Sequence, residues 1–150
     1  MELILFIGIQ ATGKSTFYLH NFFNTHIRLN LDMLKTRHRE ELLFSACLMA
    51  KQAVVIDNTN PTAVERVRYI ALAKEAGFRV IGYYFRSVPA DALRRNQQRT
   101  GTAIIPDKGL LGTYKRLELP HYTEGFDALY YVTLDEGTGT FQVEEWNNAI

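Results

Sequence analysis

The sequence predicts one α/β domain over residues 1–150, built on a five-stranded, mainly parallel sheet with helices on both faces. Three observations predict this class. Short apolar runs alternate with helical patterns, and several runs lack the polar alternation of a strand with a solvated face. A glycine-containing loop joins the first run to the first helix. The length and the 47% of hydrophobic residues suffice for one core and leave little room for a second domain.

The individual elements follow from these runs. Strands are predicted at residues 3–7, 27–30, 53–56, 78–85 and 129–134. Helices are predicted at residues 15–23, between the second and third strands, at 60–77, from 87 onward and at 107–117. Residues 100–106 are expected to be irregular. After Asp135 we expect a polar tail whose Phe141 and Trp146 pack back on the core.

Two of the predicted helices carry apolar residues at helical spacing. Between the second and third strands, one helix face is expected to hold Leu42, Leu43, Ala46, Met49 and Ala50, and the other side holds Phe44 and Leu48. Both sides of that helix are therefore expected to be covered. In the next helix we expect Asn60 as N-cap, Pro61 as first helical residue, a buried stripe of Ala63, Val67, Ile70 and Ala71, and Gly77 at the end.

Charge and cysteine content exclude several classes of protein. A net charge of +1 and a pI near 7.9 give no field that by itself indicates nucleic-acid binding. Cys47 is the single cysteine, so there is no internal disulfide and no cysteine-based metal cluster, and we expect it to pack as a small apolar side chain. The first apolar run ends at Gly8, too short for a signal peptide or a membrane span, so we expect a cytoplasmic protein without a membrane partner.

The loop after the first strand matches the phosphate-binding pattern G-x-x-x-x-G-K-[ST] at every fixed position. The residues expected to bind a nucleoside triphosphate are Gly8, Ile9, Gln10, Ala11, Thr12, Gly13, Lys14, Ser15 and Thr16. Glycines let consecutive N–H groups point at an anion, and the following helix adds its positive N-terminus. Lys14 can reach the β- and γ-phosphates, and the Ser15 hydroxyl can ligate Mg²⁺. The loop therefore predicts a P-loop NTPase fold that binds ATP and Mg²⁺.

Two aspartates follow predicted strands directly, where ligands of open parallel sheets bind. Asp32 would project toward the γ-phosphate and could accept the proton of an attacking hydroxyl. It could also cap the helix that begins near Met33, and the two roles can coexist. Asp57 is expected to hold the metal together with Ser15. Alternatively, Asp57 begins a turn, because the run at residues 57–60 is turn-forming.

Two basic groups complete the candidate site. Arg95 and Arg99 are four residues apart on one predicted helix face, before Thr100-Gly101-Thr102, and could close over the triphosphate as a small lid. The alternative is a solvated face with an Asp91–Arg95 pair. The second group consists of Lys35, Arg37, His38 and Arg39, of which Lys35 and Arg37 are the predicted acceptor-binding residues. It follows Asp32, where a phosphate-bearing acceptor would lie, although such runs are often merely solvated.

The order of these motifs resembles the kinase module of polynucleotide 5′-hydroxyl kinases over residues 3–134. The resemblance is carried by the loop, Asn30-Leu31-Asp32, the run from Val55 to Pro61, Arg95-Asn96-x-x-Arg99, Ile105-Pro106 and Glu124-Gly125-Phe126. It implies that Lys14 and Ser15 bind ATP·Mg²⁺, that Asp32 is the general base on a nucleic acid 5′-hydroxyl, and that Arg99 contacts the transferred phosphate.

The chain departs from that family pattern in two places. Leu31 precedes the base aspartate where the family often has a polar residue. Lys35 replaces an arginine that binds the acceptor in some members, and lysine lacks the bidentate fork of arginine.

The leading hypothesis from the motifs and the resemblance is a kinase that transfers the γ-phosphoryl group of ATP to a DNA or RNA 5′-hydroxyl. A small-molecule kinase for a sugar, nucleoside or antibiotic and a non-catalytic nucleotide switch are the alternatives, and Asp32 argues against the switch.

Overall fold

The computed structural model describes residues 1–101 and 104–147. The strands are β1 (Glu2–Ile7), β2 (Ile27–Leu29), β3 (Val54–Ile56), β4 (Arg79–Phe85), β5 (Ala128–Asp135) and β6 (Thr140–Glu145). The α-helices are α1 (Lys14–Asn21), α2 (Leu31–Leu34), α3 (Arg37–Ala50), α4 (Ala63–Glu75), α5 (Pro89–Gln97) and α6 (Asp107–Arg116), and a 3₁₀ turn covers Tyr122–Glu124. Among the described residues, no helix is both long and apolar enough to cross a bilayer.

The strands form one sheet in the order β2-β3-β1-β4-β5-β6. The first five strands of that order are parallel, which confirms the predicted α/β class. The predicted count of five strands is wrong, because the expected tail folds back as β6, antiparallel to β5 with Phe141 opposite Leu134. Sequence reasoning missed β6 because it is an edge strand with mostly exposed, polar residues and only a short apolar alternation.

The register of the sheet places the ends of β2 and β3 level with Leu5, shortly before β1 ends at Ile7. Leu5 pairs with Ile56, and Ile56 pairs with Leu29 on its other side. The residues that follow these positions therefore leave the sheet at the same edge. The phosphate-binding loop, the segment that contains Asp32 and the segment after Asp57 begin there.

Each face of the sheet has its own apolar core. On the face that carries α1, aromatic rings pack edge to face: Phe6 lies 5.1 Å from Phe85, and Phe17 lies 5.3 Å from Phe85, measured between centroids. On the face covered by α3 and α4, aliphatic residues of β1 and β3 pack with Phe44 and Ile70. Both surfaces of the central strands are buried, as their unbroken apolar runs predict.

The prediction that both sides of α3 are covered is wrong, because only the side that carries Phe44 and Leu48 is buried. Leu42, Leu43 and Met49 are exposed, with Met49 85% accessible to solvent. The helix buries Glu40, Phe44, Cys47 and Leu48 instead, so it is covered on one side only. Cys47 packs as a small apolar side chain, as expected. The count of apolar residues wrongly predicted that the side with Leu42 and Met49 is buried. The side that is buried has fewer apolar residues, because one of its positions is the carboxylate Glu40.

The start of α4 also differs from the prediction. Thr62 is the N-cap, accepting a hydrogen bond from the Glu65 N–H, and Pro61 lies before the helix. Asn60 adopts a left-handed conformation and donates from its amide to the Phe6 carbonyl, at 2.7 Å. The helix ends before Gly77, with φ of +81°, as expected.

The buried face of α4 differs from the predicted stripe and contains an arginine to which the sequence analysis gave no role. Val67 and Ala71 are exposed, whereas Arg66 is fully buried beside Ile70. Arg66 donates two hydrogen bonds to the Glu124 carboxylate, at 2.7 and 3.1 Å, and one to the Asn60 carbonyl. This buried ion pair links the turn after β3 to the segment before β5.

Two glycines give a matched test of the packing. A Cβ at Gly82 in β4 would lie 2.7 Å from both Leu129 and Phe126, whereas a Cβ at Gly112 in α6 meets no atom within 4 Å. We expect Gly82→Ala to lower the free energy of unfolding by about 1–3 kcal/mol through overpacking. Gly112→Ala should raise it by about 0.5–1 kcal/mol, because alanine favours the helix. Urea denaturation of both variants measures this, and equal effects would contradict the described core.

Candidate active site

A cleft of about 280 Å³ opens at the carboxyl ends of β1, β2 and β3. It is lined by the phosphate-binding loop, by the residues that follow β2 and β3, and by Arg99 and Ile105. The structure therefore brings nine of the predicted site residues to one cleft, namely Gln10, Ala11, Gly13, Lys14, Ser15, Thr16, Asp32, Asp57 and Arg99.

The loop is held in shape from several sides. Gly13 has φ of +94° at the start of α1, and Ala11 also adopts positive φ, at +61°. The Gly8 N–H donates to the Thr59 carbonyl at 3.0 Å, and the Ile9 N–H donates to the Ser87 hydroxyl at 3.1 Å. The segments after β3 and β4 thus fix the loop before any ligand binds, which lowers the cost of ordering it.

Lys14 lies inside this loop. Its ammonium donates to the carbonyls of Gly8 and Ile9, at 3.0 and 2.6 Å. Burial lowers the pKa of Lys14 to about 8, an effect that Asp57 opposes and Arg99 reinforces. An anionic ligand in the cleft would favour the charged ammonium, so phosphate binding and protonation of Lys14 are coupled.

Asp57 is almost fully buried at the base of the cleft, at 1% exposure. Its Oδ2 accepts a hydrogen bond from the Ser15 hydroxyl at 2.9 Å and from Arg28 Nε at 2.8 Å. The carbonyl of Asp57 accepts from the Asn30 amide. Arg28 also donates to the Ser15 hydroxyl at 3.0 Å. Sequence reasoning gave Arg28 no role, because it lies within a predicted strand.

The donor set at this point fits Mg²⁺. A hydroxyl oxygen and a carboxylate oxygen lie side by side, and Mg²⁺ prefers oxygen ligands, usually one or two carboxylates completed by substrate phosphates and water. The described residues contain no cluster of three or more His, Cys, Asp or Glu that could hold a metal without such help. Ser15 and Asp57 would hold the ion, which would neutralise charge on a bound triphosphate.

Asp32 is not the cap of its helix, so that alternative is wrong. Asn30 caps α2: its side-chain oxygen accepts the Met33 N–H at 3.1 Å. Asp32 lies in the first turn, is exposed and lines the cleft. Its carboxylate raises the pKa of both Lys14 and Arg99, although burial has the larger effect and lowers both. The base candidate thus lies close to two cations of the cleft.

A buried polar network supports the helix that carries Asp32. The Leu31 N–H donates to Asn58 Oδ1 at 2.9 Å, and Asn58 Nδ2 donates to Glu40 Oε2 at 2.8 Å. Glu40 is 1% exposed and also accepts from the Tyr69 hydroxyl. Burial and this hydrogen bond raise the pKa of Tyr69 well above its usual range, which keeps it a donor. Asn58 and Glu40 were not predicted as site residues.

The structure does not bring the predicted acceptor-binding residues into the cleft. Arg37 donates to the Tyr69 hydroxyl at 2.8 Å and to Glu40 at 3.3 Å, so its guanidinium supports the network behind α2. Lys35 follows α2, is exposed and has φ of +75°. Lys35 does not line the cleft but directly follows the helix that carries Asp32.

The two predicted lid arginines have different positions. Arg95 donates to the Ala11 carbonyl at 3.1 Å and to Glu136 at 2.7 Å. The alternative Asp91–Arg95 pair is wrong, because Asp91 pairs with Arg94 and Arg86. Arg99 lines the cleft, half-buried. It lies beyond the end of α5 at Gln97, so the predicted shared helix face is wrong.

The lid segment itself is only partly described. Thr100 and Gly101 follow Arg99, and Thr102 lies outside the described residues. Asn96, which precedes the segment, exchanges two hydrogen bonds with the backbone of Ile105, which follows it. This pairing draws the ends of the segment together beside the cleft.

The β5–β6 hairpin supports the phosphate-binding loop from behind. A Cβ at Gly13 would lie 2.9 Å from the Phe141 ring, so only glycine allows this contact. Phe141 also packs on Phe17 of α1, at 5.2 Å between centroids. Glu136, at the turn of the hairpin, holds Arg95 against the loop. The expected packing of Phe141 is confirmed, whereas its place beside the loop was not predicted.

Comparison with known proteins identifies the family. A family model described as an AAA domain matches residues 35–118, more than half of the chain. The chain belongs to the AAA domain family. The match to the AAA domain covers α3 to α6, whereas the phosphate-binding loop lies outside the matched residues.

A viral protein is similar in sequence to this AAA domain chain over nearly the whole length of the chain. It is named a bifunctional polynucleotide phosphatase/kinase of Acanthamoeba polyphaga mimivirus and is 31% identical over 156 residues, covering 99% of this chain. The chain spans only 37% of that protein, and 32% of a bifunctional polynucleotide phosphatase/kinase from Schizosaccharomyces pombe. The predicted resemblance to the kinase module of polynucleotide kinases is confirmed at the level of a P-loop kinase domain.

Solved structures share the fold of this AAA domain. Chaetomium thermophilum Kti12 in complex with ADP-AlF3 superposes with a TM-score of 0.67 at 17% identity, covering 91% of this chain and 93% of that one. A gluconokinase from Sinorhizobium meliloti 1021 gives 0.62 at 16% identity, covering 88% and 82%. At these identities the likeness shows the fold alone, which confirms the P-loop NTPase fold.

The burial of Lys14 predicts how the free energy of unfolding depends on pH. Its pKa is lowered from 10.5 to about 8 on folding, so the unfolded chain binds this proton more tightly. The resulting destabilisation is complete below pH 8 and vanishes as the pH rises toward 10.5. The free energy of unfolding of the wild type, minus that of Lys14→Met, should therefore rise by up to about 3 kcal/mol over this range. Urea denaturation without nucleotide measures it, and a flat difference would contradict the described burial.

Proposed function

We propose that this chain transfers the γ-phosphoryl group of ATP to an alcohol, with the 5′-hydroxyl of DNA or RNA as acceptor. The observation that carries the proposal is the position of Asp32. Its carboxylate lines the same cleft as Lys14 and Arg99. Because Asn30 is the N-cap of α2, helix capping does not explain why an aspartate is present at residue 32. A base beside a γ-phosphate is useful for activating a nucleophile.

Each side chain has a defined task in this proposal. The loop N–H groups and Lys14 bind the β- and γ-phosphates, and Ser15 and Asp57 would hold Mg²⁺, which supplies charge neutralisation. Asp32 orients the acceptor hydroxyl and accepts its proton as the new P–O bond forms. The bond between the γ-phosphorus and the oxygen that bridges to the β-phosphate breaks at the same time, and ADP leaves. Arg99 stabilises the negative charge on the transferred group, and Arg95 holds the loop through the Ala11 carbonyl.

Two observations support a nucleic acid as the acceptor. The chain is similar over nearly all its length to a protein named as a polynucleotide phosphatase/kinase. In addition, Lys35, His38 and Arg39 are exposed on the chain that follows Asp32, where the phosphates of a bound strand would pass. Because Arg37 is engaged with Glu40, Lys35 and Arg39 are the better candidates for these contacts.

A small-molecule acceptor is the second candidate. A specific observation favours it: the basic group beside the cleft contains few side chains, and the net charge of the chain is only +1. Reaction of the protein with labelled ATP, 5′-hydroxyl oligonucleotides of DNA and RNA, and a panel of sugars and nucleosides separates the two. Label transfer to oligonucleotide ends supports the proposal, and transfer to small alcohols alone overturns it.

The role of Asp32 can be tested by Asp32→Asn. Because Asn30 provides the cap, the substitution should leave both the fold and ATP affinity intact. Loss of the base should lower kcat by about 10²–10⁴-fold. Glu75→Gln, at the opposite end of α4 from the cleft, serves as the control and should keep full activity. An Asp32→Asn variant with wild-type kcat for every acceptor would remove the base assignment.

Asp57→Asn provides a contrast in the same assay. It weakens the proposed hold on Mg²⁺, so raising the metal concentration should restore part of its activity. The defect of Asp32→Asn should not respond to metal. If both variants responded equally, the division of roles between the two carboxylates would be wrong.

Salt dependence tests the acceptor side. Oligonucleotide binding should weaken with rising salt, and Lys35→Ala should reduce the slope of log K against log salt by about 0.7–1 for one lost phosphate contact. Arg79→Ala, at the amino end of β4 and thus at the opposite sheet edge, is the control and should leave the slope unchanged. Oligonucleotide binding that does not depend on salt would favour the small-molecule acceptor.

A further inference from the structure

Arg28 lies where the proposed metal site requires a cation. It belongs to β2, and its guanidinium reaches both residues proposed to hold Mg²⁺. Nε donates to Asp57 Oδ2 at 2.8 Å, and Nη2 donates to the Ser15 hydroxyl at 3.0 Å.

The pairing satisfies a strong electrostatic demand. The Asp57 side chain is 2% exposed, and a buried carboxylate without a cation is strongly destabilising. Lys14 makes its hydrogen bonds to the loop carbonyls of Gly8 and Ile9, whereas Arg28 pairs directly with the carboxylate. Arg28 therefore supplies the positive charge that a metal ion would otherwise supply.

The same geometry prevents Arg28 from staying in place when a metal binds. The Ser15 hydroxyl has one proton, which it donates to Asp57, and one of its lone pairs accepts from Arg28. A cation bound to Ser15 beside Asp57 would lie close to the guanidinium and repel it. Arg28 has room to leave, because its side chain is 27% exposed and β2 is an edge strand of the sheet.

We infer that Arg28 is a positioning residue that occupies the cation position of the metal site and must be displaced when metal binds. It pairs with the Asp57 carboxylate and orients the Ser15 hydroxyl before the metal binds. Because displacing Arg28 is unfavourable, the metal alone should bind weakly, and it should bind tightly together with the triphosphate, whose charge adds to that of Asp57. The inference rests on the metal site of the proposed function and adds the residue that controls its loading.

The test uses the nucleotide-free chain and three variants. Arg28→Met removes the charge at similar length, Arg28→Lys keeps the charge without the fork, and Arg79→Met is an exposed strand arginine as control. Thermal unfolding is measured with and without Mg²⁺, and Mn²⁺ binding is measured by electron paramagnetic resonance. Neither measurement needs an acceptor or turnover.

We expect Arg28→Met to unfold several degrees lower than the wild type without metal, because Asp57 loses its partner. Mg²⁺ alone should restore its midpoint but leave the wild type unchanged. Mn²⁺ without nucleotide should bind Arg28→Met at least about tenfold more tightly than the wild type, a difference of about 1.4 kcal/mol. Arg28→Lys should lie between the two, and Arg79→Met should match the wild type. Equal midpoints and equal Mn²⁺ affinities for Arg28→Met and the wild type would overturn the inference.

A double variant keeps the test decisive if Arg28→Met does not fold. Replacing Asp57 by Asn removes the charge that Arg28 neutralises, so Asp57→Asn with Arg28→Met should fold and be no less stable than Asp57→Asn alone. If the double variant also fails to fold, Arg28 acts through packing and the inference is wrong. Absence of phosphoryl transfer with these metal effects present would instead count against the proposed function alone.

Discussion

The site depends on one buried residue, Asp57, at the carboxyl end of the central part of the sheet. Its carboxylate accepts the Ser15 hydroxyl at the start of α1, and its carbonyl accepts the Asn30 amide that caps α2. The helix that presents the phosphate-binding loop and the helix that carries Asp32 are therefore joined through one side chain and one carbonyl. A shift of β3 would move the nucleotide side and the acceptor side of the cleft together.

The run of residues 57–60 shows how turn-forming and functional roles coincide. Asn58 connects the first N–H of α2 to the buried Glu40, the carbonyl of Thr59 accepts the Gly8 N–H, and Asn60 donates to the Phe6 carbonyl. Each residue after β3 thus fixes a different neighbour of the cleft. The turn-forming run itself positions the carboxylate of Asp57, so the turn and the proposed metal-binding role are compatible.

How much could be predicted depended on how local the determining interactions are. The phosphate-binding loop, the buried strands and the strand-end aspartates are set by short runs of sequence, and the structure has them where predicted. The capping role of Asn30 rather than Asp32 required knowledge of where α2 begins. The core side of α3, through Glu40 and Tyr69, and the pairing of Arg28 with Asp57 each depend on a partner 29 residues away. The strand β6 lies at the edge of the sheet, so residue patterns could show none of these three features.

Hydrogen exchange with and without ATP·Mg²⁺, read by mass spectrometry, tests the central claim that the nucleotide binds in this cleft against the carboxyl ends of β1 and β3. The account predicts slower exchange in the loop at residues 9–16, in α2 and in the segment after Asp57, with little change at the amino ends of β1 and β4. The groove between α3 and α4, lined by Phe44 and Leu72, offers a cavity of similar size on the opposite face of the sheet from α1. Protection confined to that groove, with unchanged exchange in the loop, would contradict the account.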